Sequence, residues 1–369
     1  MSQTSETVLE IDLSALEHNY NYLRSKLQPG TKMLGVVKAF AYGSDSVAIA
    51  KRLSKIGIDY FAVAYTREGI ALRKGGIQKP ILVLHPQSTN FEEVIENDLL
   101  PNIYSKFTLE AFIETAEKLQ LKNYPIHLKI NTGLNRLGFD LDEMNWIAET
   151  LDSTESVKVE GIFSHLAASE DEAERDFTKY QIENYQKALD TLLPQLDFPP
   201  IRHLCNTSGI INYPEAHYDM VRTGIGLYGF GNSAEEDKKL KPVGTLKTII
   251  SQIHHIKKGE SVGYNRGFKA SSATKTATLP LGHADGINRI YGKEKTGVLI
   301  NGHHAPIIGN VCMDMLMIDI SGIDCKEGDE VILFGKEKSA EEFAHNAGTI
   351  SYELITSISQ RVKRKLINL

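Results

Sequence analysis

Residues 33–64 read MLGVVKAFAYGSDSVAIAKRLSKIGIDYFAVA, an apolar run, a helical pattern and a second apolar run in succession. Met33–Val37 and Tyr60–Ala64 have the length and β-branched content of buried strands, and Ser46–Ile56 carries the spacing of an amphipathic helix. One strand–helix–strand unit of this kind predicts a parallel pair with a crossover helix. The pattern recurs outward. Strands are expected at Ile81–Leu84, Ile126–Ile130, Val157–Phe163 and Ile201–Leu204, and weaker ones near Ile103 and at Met220–Arg222. Helical patterns at Thr108–Leu119 and Glu174–Leu192 lie between them, and an earlier helix shows as the stripe Leu13, Leu16, Tyr20, Leu23 and Leu27, with Asp12 or Ser14 as its cap. Eight such strands over a span of ~230 residues suit a (β/α)8 TIM barrel, with an open doubly wound sheet as the other arrangement.

After about Gly231 the texture changes to β-branched runs with turn glycines, and Asn301-Gly302 between apolar segments signals a hairpin. Only one good helix stands out there, at the capping-box spacing Ser339 to Glu342. The expected organisation is therefore an α/β barrel over residues 10–233, followed by a mostly β C-terminal domain made of residues 1–9 and 234–369. The polar stretch Asn232–Lys241 reads as the boundary.

Composition narrows the function classes. The chain has 369 residues, with 41 basic and 47 acidic side chains and a net charge of -6, so no nucleic-acid or anionic-membrane footprint is visible. No apolar run reaches the ~18 residues a membrane helix needs, and the start MSQTSETVLE lacks a signal-peptide pattern, so a cytoplasmic location is expected. Cys205, Cys312 and Cys325 have no CxxC spacing, which suggests neither a disulfide framework nor a metal site.

Lys38 follows the first barrel strand, at the carboxyl end where barrel active sites lie. A lysine there can bond covalently to an aldehyde if desolvation or a neighbouring cation lowers its pKa. Residues 36–43 (VVKAFAYG) closely resemble the pyridoxal-phosphate lysine segment of alanine racemases. The resemblance continues in order through 129–138 (KINTGLNRLG), 161–165 (GIFSH), 203–207 (HLCNT), 221–229 (VRTGIGLYG), 262–264, 282–289 (GHADGINR), 309–314 (GNVCMD) and 351–353 with Arg361-Val362.

That resemblance implies a pyridoxal 5'-phosphate enzyme that interconverts L-alanine and D-alanine for peptidoglycan. It further implies a head-to-tail homodimer in which each active site borrows residues from the partner's β domain. Racemisation needs two opposed proton-transfer groups. By resemblance these are Lys38 and Tyr264 of the partner chain, with Arg222 on the pyridine nitrogen and His165 linking it toward the tyrosine. Because arginine keeps its proton, that nitrogen stays unprotonated, which weakens the electron sink. The phosphate would be held by Tyr42, Thr207, Gly224, Ile225 and Tyr352, with Asn206 in the same shell. Arg136 and the Met313 amide would meet the substrate carboxylate, Lys129 (commonly carbamylated in the family) would orient Arg136, and Asp314 and His283 would sit by the entrance.

Five positions depart from the common pattern: Asn131 for aspartate, Thr207 for serine, Thr223 for proline, Gly263 for serine and His283 for tyrosine. The smaller, ionisable His283 leaves substrate range open. A racemase acting on serine or lysine, a basic amino-acid decarboxylase on the same architecture, and a non-catalytic cofactor carrier made of a lone barrel are the rival readings. The decarboxylase lacks the combination of 221–229, 282–286 and 312–314 motifs, and the carrier needs no second domain.

Overall fold

The computed structural model describes residues 6–369, so the expected β segment at 1–9 falls partly outside the described residues. Eight strands close into a parallel barrel in chain order: Lys32–Val36, Tyr60–Val63, Ile81–Val83, Leu100–Ile103, Tyr124–Lys129, Val157–Phe163, Ile201–His203 and Met220–Thr223. Closure is made by the last strand on the first, with Leu34 opposite Arg222, which excludes the open sheet. Leu34, Phe61, Leu82, Ile103, Leu128, Ile162 and Val221 are fully buried, as expected of parallel strands with a filled interior on one side and helices on the other. The two weaker strand signals, near Ile103 and at Met220, both form barrel staves.

Helices Ser46–Ile56, Lys106–Lys118 and Arg175–Leu192 lie where the periodicity places them. The first helix, Leu13–Arg24, is capped by Asp12 rather than Ser14: the Asp12 carboxylate accepts from the Ser14 and Ala15 amides at 2.9 and 3.0 Å. It ends before Leu27, the last residue of the expected stripe.

The chain divides into two compact units. One comprises Glu17–Ala41 and Ser46–Leu240, and contains the barrel. The other comprises the described residues up to Leu16 together with Tyr42–Asp45 and Lys241–Leu369. Its main element is a nine-stranded sheet in which Val8–Asp12 pairs antiparallel with Gly244–Ile249 and parallel with Lys363–Ile367. Asn301 and Gly302 take φ of 48° and 79° and turn Gly297–Ile300 back onto His303–Ile308, the hairpin their dipeptide announces.

One helix expectation needs correction. Besides Ala340–His345, capped by Ser339, a second helix forms at Ser351–Ser357. Its first turn begins after an extended Ile350 with no side-chain cap, which removes the usual start signal. Within the polar stretch Asn232–Lys241, Ala234–Asp237 makes one helical turn capped by Ser233.

Candidate active site

Lys38 lies just beyond the first barrel strand, where the backbone turns sharply. Ala39, Phe40, Ala41 and Tyr42 take φ between 51° and 56°, and Gly43 takes 81°, so Lys38 opens a left-handed turn. Four consecutive L-residues in that region cost roughly 1–2 kcal/mol each, strain that persists only where neighbours over-determine the chain. Glu68 supplies one such hold, accepting from the Ala39 amide through one oxygen and from Ala64 through the other, each at 2.7 Å. Burial, and next the Arg136 charge, push the Lys38 amine below the ordinary lysine value, while Glu68 pulls it upward.

Around the same barrel end several cations gather. Arg222 is buried and donates to three carbonyls, those of Ser164 (2.6 Å), Leu204 (3.0 Å) and His203 (3.1 Å). It also meets the imidazole Nδ1 atoms of His203 at 3.0 Å and His165 at 3.2 Å. Burial lowers its pKa to about 10, so it remains a cation. His165 is held well below the ordinary imidazole value by burial and then by Arg222. It thus accepts from Arg222 on Nδ1 and keeps its proton on Nε2.

Lys129, at the end of its strand, is buried, and desolvation followed by the charges of Arg136, Arg222 and Lys38 brings its amine down to about 7. Phe163 serves as a common platform: its ring lies 5.1 Å from the Arg222 guanidinium and 5.7 Å from Lys129 Nζ, and it stacks on His203 at 4.7 Å. Arg136 itself is exposed, on the loop after that strand.

Next to this cluster two short helical starts face each other. Asn206 caps Thr207–Asn212, its Oδ1 accepting from the Gly209 amide at 2.9 Å. Gly224 precedes the turn Ile225–Tyr228, and Gly226 donates to the Thr207 hydroxyl at 3.3 Å. A Cβ at Gly226 would stand 2.6 Å from the Thr207 methyl, so the close approach requires glycine. The two departures Thr207 and Thr223 touch: their hydroxyls lie 3.2 Å apart, so the hydroxyl that replaces proline's ring packs on the one that replaces serine's.

The remaining candidates belong to the β unit. Tyr264 is 73% exposed and its carbonyl accepts from Asn310 at 2.9 Å. The segment holding His283 pairs with the one holding Met313: His283 donates to the Cys312 carbonyl at 2.9 Å and Ala284 to that of Met313 at 3.0 Å. Met313 is 59% exposed, and His283 is exposed as well. Arg361 ties this face together, donating to Asp285 at 2.7 Å and Asp314 at 2.6 Å. Tyr42 and Tyr352 pack with ring centres 6.2 Å apart, and burial raises the Tyr42 hydroxyl above its ordinary value.

Sequence reading passes over Glu68 and Phe163. Glu68 carries a weak signal as an acidic residue in the first turn of the helix Thr66–Lys74, which reads as capping. Phe163 ends an apolar strand and reads as core.

A closed (β/α)8 barrel with a desolvated lysine and a buried arginine at its carboxyl end, carried on one chain with a β domain, defines a class of barrel enzyme. Residues 11–231 match the family described as alanine racemase, N-terminal domain, and residues 243–366 the alanine racemase, C-terminal domain. The chain belongs to the alanine racemase family. It is 37% identical to the alanine racemase of Halothermothrix orenii, covering 99% of this chain and 98% of that one. Among solved structures it resembles an alanine racemase of Clostridium difficile 630 (36% identity, 99% and 97% coverage, TM-score 0.92). It also resembles that of Bartonella henselae with covalently bound pyridoxal phosphate (30% identity, 98% and 100% coverage, TM-score 0.89). The residues present fit such a group: an amine freed from part of its charge for the aldehyde, amides and a hydroxyl for an anion, and a guanidinium donor beside them.

Proposed function

We propose that this protein interconverts L-alanine and D-alanine with pyridoxal phosphate held in the barrel by Lys38. The observation that carries this reading is the desolvated Lys38 amine on a strained turn beside Arg136. When bound, the cofactor supplies an aldehyde that joins the substrate amine and a conjugated ring that spreads the charge left when the α-proton departs. Lys38 takes or returns that proton on one face, and Tyr264 of the partner subunit does so on the other. The exposure of Tyr264 and Met313 on the β unit supports their lending to a second copy in a homodimer with shared sites.

Arg222 would donate to the ring nitrogen, with His165 hydrogen-bonded to it at 3.2 Å. By resemblance, Thr207, the Gly224 and Ile225 backbone, Tyr42 and Tyr352 would hold the phosphate, with Asn206 bracing the turn. Arg136 and the Met313 amide orient the substrate carboxylate. Lys129, with an amine near neutrality, would add carbon dioxide through its uncharged form, releasing one proton to solvent, and the resulting carbamate anion would fix Arg136. Asp314 and His283 line the entrance. The domain division of 10–233 against 1–9 with 234–369 follows from the same reading, as does a cytoplasmic role in supplying D-alanine for peptidoglycan.

Borohydride reduction and peptide mapping should place a pyridoxyl group on Lys38, and alanine should exchange its α-proton in heavy water. Label at another lysine, or cofactor absorbance with no exchange, would overturn the proposal. Parallel turnover of D-alanine, D-serine and D-lysine reads the breadth of specificity.

A further inference from the structure

Buried groups that these roles leave unused form a line through the barrel interior. Arg222 Nη1 meets His203 Nδ1 at 3.0 Å, His203 Nε2 meets His127 Nδ1 at 3.1 Å, and His127 Nε2 lies 3.9 Å from Glu160 Oε1. Both imidazoles are fully buried, and His127 Nε2 has no hydrogen-bond partner at ordinary distance. Room for the line is reserved by the sequence. A Cβ at Gly161 would stand 2.4 Å from His127 Nδ1. Glu160 sits toward the amino ends of the strands, accepting from the Tyr60 hydroxyl at 3.0 Å, and Tyr60 is the first residue of its strand with Lys32 over its ring.

Proton placement along this line has one solution. Arginine does not give up its protons, so Nη1 donates and His203 Nδ1 accepts. The His203 proton therefore sits on Nε2 and points at His127 Nδ1, which accepts in turn. His127 must then carry its proton on Nε2, on the side of the Glu160 carboxylate. Turning either ring over would set two donors or two lone pairs face to face in a dry interior. Burial and the Arg222 charge hold His203 far below the ordinary imidazole value, and the adjacent His127 N–H holds the Glu160 carboxyl low. Arg222 has only carbonyls and imidazoles as hydrogen-bond acceptors among the described residues, so its counter-charge must act from a distance.

We propose that His203 and His127 are positioning residues forming a one-directional relay, through which the Glu160 carboxylate at the far end of the barrel interior orients and polarises the Arg222 guanidinium. The carboxylate draws the His127 proton, which makes Nδ1 a better acceptor for His203, and this strengthens His203 as the acceptor for Arg222. Only the kinetic arm of the test rests on the racemase reading.

The test uses the full-length holoenzyme labelled with 15N in histidine and arginine. In the unsubstituted protein both His127 and His203 should be Nε2–H tautomers. Glu160→Gln keeps an oxygen for the Tyr60 hydroxyl and removes the charge. It should move the nitrogen signals of His127, then those of His203 and Arg222 by decreasing amounts. It should also change kcat about threefold to tenfold with KM within about twofold, and Glu160→Asp should restore most of the change. An Nδ1–H tautomer at His203 overturns the proposal without any variant. So does a Glu160→Gln shift that stops at His127. An inactive but correctly relayed protein would sink the racemase reading alone.

Discussion

The barrel end and the β-unit face carry their candidate residues in opposite ways. At the barrel end the working groups are buried: Arg222 and Lys129 are 4% and 5% exposed, and the chain at Lys38 runs through a left-handed turn. On the β unit Tyr264 and Met313 stand well into solvent, and Arg361 joins Asp285 to Asp314 beside Met313. Burial tunes the first set, since desolvation is the leading cause of the lowered pKa at Lys38, Lys129 and Arg222. The proposed shared site would take one half from the desolvated cations and the other from this exposed surface of a second copy. Its stability and its activity should therefore respond differently to substitution on the two sides.

The largest effect is expected at Lys38. Lys38→Arg keeps a cation but cannot join an aldehyde, and racemisation should fall by about a thousandfold or more, measured by polarimetry or coupled oxidation of D-alanine. Within the β unit, Gly43→Ala should cost folding dearly. Its Cβ would lie 2.0 Å from the Ile355 carbonyl at a φ of 81°, and a loss of about 3–5 kcal/mol in urea unfolding is expected. Tyr264→Phe tests the opposite property. Because the side chain is exposed, the Tm of the variant should stay within about 1 °C while turnover falls about a hundredfold. A matching loss of stability would blur the contrast.

A smaller effect separates the two regions by pH. The Lys129 amine, near 7 in the folded protein and 10.5 in the unfolded reference, binds its proton more tightly when unfolded. Folding stability from this group is therefore lowest below pH 7 and recovers as pH rises toward 10.5. Lys129→Met should raise stability by about 1–3 kcal/mol at pH 6 in carbonate-free buffer, with the gain shrinking by pH 10. A gain independent of pH would show that the charge is not its source. Smallest of all, Ala39→Gly at φ 51° should relieve strain and add about 0.5–1 kcal/mol in urea unfolding.

Much of this architecture was legible beforehand because barrel staves are short apolar runs bounded by helices, a pattern that depends on neighbours in sequence. Val157–Phe163 and Ser46–Ile56 were readable to the residue. The helix Ser351–Ser357 was not, since it lacks a cap and its burial comes from packing on other parts of its unit. The candidate site residues were named through ordered motifs, and Glu68 and Phe163 were not among them. Each takes its place beside the cluster from a residue far along the chain: Glu68 from Ala39, and Phe163 from Arg222.

The amino-acid order alone determined the succession of strands and helices and placed Lys38 at the end of the first stave, because period and turn chemistry are local. Only the closed barrel decided what Lys38, Lys129 and Arg222 become as acids and bases. Desolvation and mutual repulsion arise when strands distant in sequence are wound into one interior, and no local pattern encodes how dry that interior is. The direction in which Arg222, His203 and His127 pass their hydrogen bonds was set there too, by contacts of 3.0 and 3.1 Å among three different staves.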